Sequence, residues 1–172
     1  MGAEQGREYI QQESRNRTGV DPLLFRRTMG RFGTGVTVIT VVHSGGVHGM
    51  TANAFMSVSL EPPLVVVSVD RRARMHGFVE QVERYAVSIL ARDQEQIARH
   101  FAGKPQPGYV PDFFWIDGMP LIRGSVAHII CRLVDAHAAG DHTLFFGKVE
   151  SLSYSDREPL VFYGGQFCSV RV

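Results

Sequence analysis

The stretch His48–Asp70 reads HGMTANAFMSVSLEPPLVVVSVD. Thr51, Asn53, Ser57 and Ser59 bring hydroxyls and an amide together just ahead of an apolar strand, and Glu61 is the sole charge before Asp70. Such groups can satisfy the ring nitrogens, carbonyls or phosphate of a polar ligand held against a sheet. The same side chains can equally close local turns on their own backbone. The sequence DRRAR (Asp70–Arg74) follows the strand. Arg71, Arg72 and Arg74 are suited to bidentate phosphate contacts, and also to a solvated strand end. In GRFGTG (Gly30–Gly35) the glycines follow a helix and precede a strand. A dinucleotide fingerprint has the opposite order, strand first and helix after, so that the helix N-terminus faces the pyrophosphate. A helix end and turn is therefore one reading; a backbone at Thr34, Gly35 and Val36 that lets a flat ring come close is the other. His142, in AGDHT, lies at a turn between two strands. His128 and Cys131 are three apart on a strand and point to opposite faces. No other His, Cys or Asp spacing suggests a metal site, and neither GxxxxGK[ST] nor GxSxG occurs; no metal is expected.

The elements that must position these residues are short. Asp21-Pro22 is a helix start, with Asp capping free amides and Pro in the first turn. The helix is expected over about residues 22–31, with Leu24, Phe25 and Met29 on its buried face. GVTVITVVH (Gly35–His43) is a strand apolar on both faces, SGG (Ser44–Gly46) a hairpin turn and VHGM the return strand. LVVVSVD (Leu64–Asp70) is a continuous apolar run, expected to be covered on both sides. RMHGFVEQVER suggests a short helix and YAVSIL (Tyr85–Leu90) a strand. A helix from Asp93 to about Phe101 is expected to open on a capping pair of Asp93 and Gln96. Residues 102–120 read as a Pro/Gly/aromatic loop. Residues 125–138 and 143–155 read as long strands, and PLVFYGGQFCSV as a closing strand or hairpin. Six or seven strands with connections too short for βαβ crossovers imply a mainly β fold: an antiparallel, Greek-key-like β-barrel with helices on its rim.

Composition sets the class. The 172 residues, 44% hydrophobic and 20% charged, suit one domain with a sizeable core. A net charge of +1 gives no electrostatic case for nucleic acid or an anionic membrane. Two cysteines without a CxxC fit a reducing, cytoplasmic compartment. No apolar run has the roughly 18 residues of a membrane span. The first twenty residues lack a secretory signal's apolar region, and Gly6 stands where a myristoylation motif needs Ser or Thr. Residues 1–20 are read as a polar tail, flexible or draped over a partner subunit, and 21–172 as the domain.

Taken together, FRRTMGRFGTGVTVIT, GMTANAFMSVSLEPPLV, GDHTLFFGKV and PLVFYGGQF resemble, in order and over about residues 22–170, the short-chain flavin reductases. These are the reductase components of two-component flavin-dependent monooxygenases. The resemblance implies an FMN-binding split barrel assembled as a homodimer. It implies FMN or FAD as the flavin and NADH or NADPH as co-substrate, with reduced flavin diffusing to a separate monooxygenase. By the same resemblance the flavin ring lies near Thr34, Gly35 and Val36. Thr51, Ala52 and Asn53 fall at the ring edge, and Ser57 and Ser59 toward the phosphate. His142 and Phe167 belong to the nicotinamide side, with His142 giving orientation or electrostatic help. Family members often carry Ser or Thr where this chain has Ala73 and Met75, and Arg71, Arg72 or Arg74 are placed to compensate. Hydride transfer from nicotinamide to flavin asks the protein mainly to stack two rings and to support developing negative charge. A flavin carrier without turnover, and a barrel that reduces its own organic substrate, are the alternatives.

Overall fold

The computed structural model describes residues 15–16 and 19–170. The expected tail lies outside the described residues over 1–14, whereas Arg15–Asn16 (β1) and Gly19–Val20 (β2) form a short antiparallel ladder. Helix α1 (Pro22–Met29) starts as expected: the Asp21 carboxylate accepts from the Leu23 amide at 3.0 Å. Its apolar side chains differ from expectation. Only Leu24 is half-buried, while Leu23, Phe25 and Met29 are exposed, because α1 buries no residue against the barrel.

The strands that follow are β3 (Thr34–Gly35), β4 (Thr37–His43), β5 (Gly46–Ala52), β6 (Phe55–Leu60) and β7 (Pro63–Asp70). After α2 (Arg74–Val79) come β8 (Arg84–Ile89), α3 (Glu95–Phe101), β9 (Phe113–Ile116) and β10 (Met119–Ile122). The chain ends with β11 (Ala127–Ala139), β12 (His142–Tyr154), β13 (Leu160–Tyr163) and β14 (Gln166–Ser169). Seven of these make one sheet in the order β5-β4-β8-β11-β12-β7-β6, with every neighbouring pair antiparallel. The expected antiparallel barrel class is the one observed.

Strands β5 and β6 are consecutive in the chain yet stand at opposite edges of the sheet. Asn53 and Ala54 alone join them, and the Ser68 amide donates to the Ala54 carbonyl at 2.9 Å. The sheet must curl until its edges meet there, which closes the barrel along a seam. The interior holds Ile39, Val41, Val67, Val69, Tyr85, Val87, Cys131 and Phe145, all essentially inaccessible, and α2 plugs one end with Met75 and Val79. Outside, Val36, Val38, Leu90 and Ile122 form a second cluster with Ala98 of α3 and Leu160. β4 therefore packs into both clusters, as its doubly apolar sequence anticipates. β7 does not. Val65, Val67 and Val69 are buried, but Leu64, Val66 and Ser68 alternate with them only half-covered.

Two further expectations are corrected. Residues 113–122 are not loop: β9 and β10 form a hairpin through Asp117-Gly118, both in the left-handed region at φ 49° and 75°, a two-residue turn of the kind that favours Asp-Gly. Asp93 does not cap α3. Its carboxylate takes the Arg157 guanidinium at 2.7 Å, and the helix begins after Gln94, whose side chain instead ties the Ala91 amide and the Arg123 carbonyl. Among the described residues no helix is long and apolar enough to cross a membrane.

Candidate functional site

The seam gathers the residues expected at the flavin ring. Register pairs Thr37 with Ala52, and β3 lies on β13 with Thr34 opposite Phe162 and Gly35 opposite Val161. The Thr34–Val36 backbone thus runs beside the end of β5. The Thr34 hydroxyl is buried without a hydrogen-bond partner. A buried hydroxyl left unpaired is costly, so it marks a place where a ligand's polar atom fits. Gly35 next to it is open: a side chain added there would meet nothing within 4 Å. Asn53 is exposed at the seam and Ala52 is buried beneath it. Thr51 is placed differently. Its hydroxyl donates to the Ala98 carbonyl at 2.7 Å and so pins β5 to α3.

Ser57 and Ser59 part company on β6. A bulge between them lets Ser57 pair with Val65, on the core-facing side of the ladder, and Ser59 with Leu64, on the other. One extra residue in a strand turns the following side chains over. Ser59 also lies at the Leu64 end of β7, while Arg71–Arg74 follow Asp70 at the opposite end. Six residues of strand separate Leu64 from Asp70, roughly 20 Å at the usual rise. Within one chain, no single phosphate touches both groups.

The arginines divide as well. Arg72 grips Asp70 with two nitrogens, at 3.1 and 2.8 Å. This side-chain bond, with the Arg72 amide's own bond, holds the Asp70 carboxyl well below its ordinary value. Arg71 and Arg74 are exposed and have no carboxylate partner among the described residues.

His142 starts β12, opposite Asp70. Its Nδ1 lies 2.7 Å from the Asp141 carboxylate, and this bond lowers the Asp141 pKa. With Nδ1–H donating to Asp141, Nε2 is left to meet a ligand. Ladder pairing puts His142 on the sheet face of Asp70, Val66 and Phe146, away from the barrel interior. Phe167 belongs to another group: it packs edge-on against Phe162 at 5.3 Å, under the Arg99 guanidinium at 5.3 Å. The structure therefore joins Phe167 to Thr34 and Gly35 through β13, and His142 to the Asp70–Arg72 pair.

The sequence did not point to a cleft of about 650 Å³ between β5, α2 and the end of α3, lined in part by His48, Gly49, Arg74, Phe78, His100 and Phe101. Gly49 is required there, because the Phe101 ring occupies the space where a Cβ would stand. The aromatic residues of HFAGK were readable in the sequence, but nothing in their spacing placed them against β5.

A curled antiparallel barrel whose seam is flanked by an unpaired buried hydroxyl and an open glycine is an arrangement able to take a flat polar ligand at its sheet edge. The chain belongs to the family of the flavin reductase like domain, whose family model matches residues 29–171. It is 48% identical over 156 residues to an NADH-dependent flavin reductase from Rhodococcus sp, covering 89% of each chain. It is 37% identical to the flavin-dependent monooxygenase reductase subunit HsaB from Rhodococcus jostii, covering 88% of this chain and 79% of that one. Among solved structures, the Streptomyces globisporus NADH:FAD oxidoreductase SgcE6 in complex with NAD and FAD fragments superposes with a TM-score of 0.81 at 42% identity, covering 88% of this chain and 93% of that one.

Proposed function

We propose that this chain is an NAD(P)H:flavin oxidoreductase that passes a hydride from nicotinamide to FMN or FAD and supplies the reduced flavin to a separate monooxygenase. The observation that carries the reading is the unpaired, buried Thr34 hydroxyl beside open Gly35 at the seam, in a chain of this family. A bound flavin supplies the hydride-accepting ring. This chain's residues bind and orient. Thr34 offers its hydroxyl to the ring's polar edge, Gly35 and Val36 present backbone without obstruction, and Asn53 offers its amide. Ala52 lies buried under that edge. Phe162 and Phe167 give a flat apolar wall on the same small sheet. His142, steadied by Asp141, orients the nicotinamide or supports charge through Nε2. Phe167 serves the nicotinamide side with it.

A homodimer fits the uncovered side of β7. Met56 and Phe146 both pair with Val66, so three apolar side chains lie side by side across β6, β7 and β12 on the face outside the barrel. Met56 is 61% exposed. A second copy would cover that row, which also carries His142 at its end. Steady oxidation of NADH or NADPH in the presence of added FMN, FAD or riboflavin tests the activity. Tight flavin binding with no turnover would turn the reading to a carrier. Turnover that needs an added organic acceptor would turn it to a substrate reductase.

A further inference from the structure

We propose that His76 is a positioning residue for the nicotinamide side: from α2 it holds, through the Thr143 hydroxyl, the end of the β11–β12 hairpin that presents His142. This rests on the reading of His142 given above and extends it to a residue buried on the other face of the sheet. The hairpin end needs such a hold. The ladder of β11 with β8 stops at Arg132, and every residue from Val134 to Asp141 is exposed. Among the described residues, the end is therefore anchored only from the β7 side.

One short segment supplies that anchor. Asp70 pairs with His142 at the last rung of the β7–β12 ladder, and the Arg71 amide donates to the Asp141 carbonyl at 3.0 Å. Both contacts are made by backbone. The side-chain contact comes from His76, one turn into the segment's helix, whose Nε2 lies 2.8 Å from the Thr143 hydroxyl. Thr143 is buried and follows His142 directly, so the two side chains leave opposite faces of β12. The His76 ring also meets Phe145 edge-on at 5.4 Å. It thus touches the first two inward side chains of β12.

The chemistry of His76 suits a directional hold. Its side chain is 13% exposed, and Nδ1 faces the Glu80 carboxylate at 3.5 Å. With the Nδ1 proton turned to that acid, Nε2 accepts from the Thr143 hydroxyl. Helix α2 has no side-chain cap, and its buried residues are Met75 and Val79. Apolar packing sets how deeply the helix sits in the barrel end. A hydrogen bond also sets angle and register, since it weakens steeply when misaligned. Small displacements of a group that orients a substrate are costly to rate, so the bond to Thr143 matters where His142 meets its ligand.

Stopped-flow reduction of the flavin-saturated full chain by NADH, beside flavin titration and thermal melting, tests this. His76→Leu and Thr143→Val should each raise the NADH KM or slow flavin reduction, by up to about tenfold for one lost hydrogen bond, with flavin affinity kept. The double variant should be no worse than either single one, because both remove the same bond. His76→Gln, whose amide oxygen can accept the same hydroxyl proton, should recover most of the loss. In the His142→Ala background, His76→Leu should leave NADH kinetics as they are, although Tm still falls. A purely structural histidine would not show that dependence. If His76→Leu does not fold, Thr143→Val, which keeps the side-chain shape, carries the same comparisons. Wild-type NADH kinetics in the single variants, additive losses in the double, an undiminished loss on top of His142→Ala, or an equal loss of flavin affinity would each overturn the positioning role while leaving the reading of His142 in place. Wild-type reduction by His142→Ala alone would overturn that reading itself, and the role of His76 with it.

Discussion

Strands β4 and β7 lie in the same curled sheet and carry similar side chains, but they meet different surroundings. Along β4, Ile39 and Val41 enter the barrel while Val38 packs outward beneath α3, and no residue from Thr37 to Val41 reaches solvent. Along β7 the inward valines are as deeply buried, yet among the described residues no helix lies over the outward ones. The difference lies in what the connections deliver. The segment after β8 returns α3 to the outer face of β4. The segment after β7 sends α2 to the barrel end, where Met75 and Val79 join the interior. One apolar face is used within the chain, and the other is left only half-covered among the described residues.

The largest expected effect separates the two strands directly. Ile39→Ala should cost about 2–5 kcal/mol in denaturant unfolding. Val66→Ala, measured at concentrations where the chain is monomeric, should cost less than about 1 kcal/mol. Equal costs would mean that the outer face of β7 is already covered. Next comes assembly. Val66→Lys places a charge among Met56 and Phe146 and should convert a micromolar dimer to monomer in sedimentation, with the monomer still folded. A wild-type chain that sediments as a monomer would remove the second copy from the comparison.

His142 stands at the end of that same outer row. His142→Ala should raise the nicotinamide KM or slow hydride transfer about tenfold while flavin affinity and Tm stay unchanged, since the imidazole's hydrogen bond is to its exposed neighbour Asp141. Stopped-flow reduction of the flavin-loaded variant checks it, and a lowered Tm with wild-type reduction kinetics would make the residue structural.

Cysteine chemistry gives a smaller contrast between inside and outside. Burial pushes the Cys131 thiol up to about 12, so its thiolate is scarce near neutrality. Cys168 is exposed. At pH 8 a thiol reagent should modify Cys168 alone until the protein unfolds, as mass spectrometry of the labelled chain would show. The smallest effect concerns Asp70. Its folded-state pKa lies below the ordinary 3.8, chiefly through the Arg72 side chain. A depressed carboxylate pKa contributes stability that is present above the unfolded-state value and lost as pH falls through the folded-state value. Asp70→Asn should therefore lower stability slightly at neutral pH and flatten the acid limb of the stability profile below about pH 4. An unchanged acid limb would show that the Arg72 contact contributes nothing in solution.

Much of this was legible in the chain itself. Asp21 caps α1 because a carboxylate ahead of Pro can do little else so well, and Ser44-Gly45 turns the β4–β5 hairpin with both residues at positive φ. The DG signal at 117–118 was also present, flanked by FFWI and MPLI. The prolines and glycines of residues 102–120 mask it, because they give the whole stretch the composition of a loop. Asp93 departs from its local pattern for another reason: Arg157, 64 positions away, takes the carboxylate that local spacing suits to a helix cap. The hydroxyl-rich stretch TANAFMSVS correctly marked the seam at Asn53. It could not show that Thr51 is spent on Ala98, or that a bulge sends Ser57 and Ser59 to different faces.

Local chemistry determined which segments turn, extend or cap, because those choices depend on neighbours within a few residues. The sequence alone also carried the family's motifs, in order. Only the tertiary structure decided which faces are covered, which hydroxyls remain free and which end of β7 each polar group occupies. Those outcomes depend on partners brought from 30 to 80 positions away, as when Thr51 reaches Ala98 across 47 residues, or Thr40 reaches the Pro120 carbonyl across 80. Curling the sheet until β5 and β6 meet at Asn53–Ala54 sets all of these distances together, and no single segment contains the information for that closure.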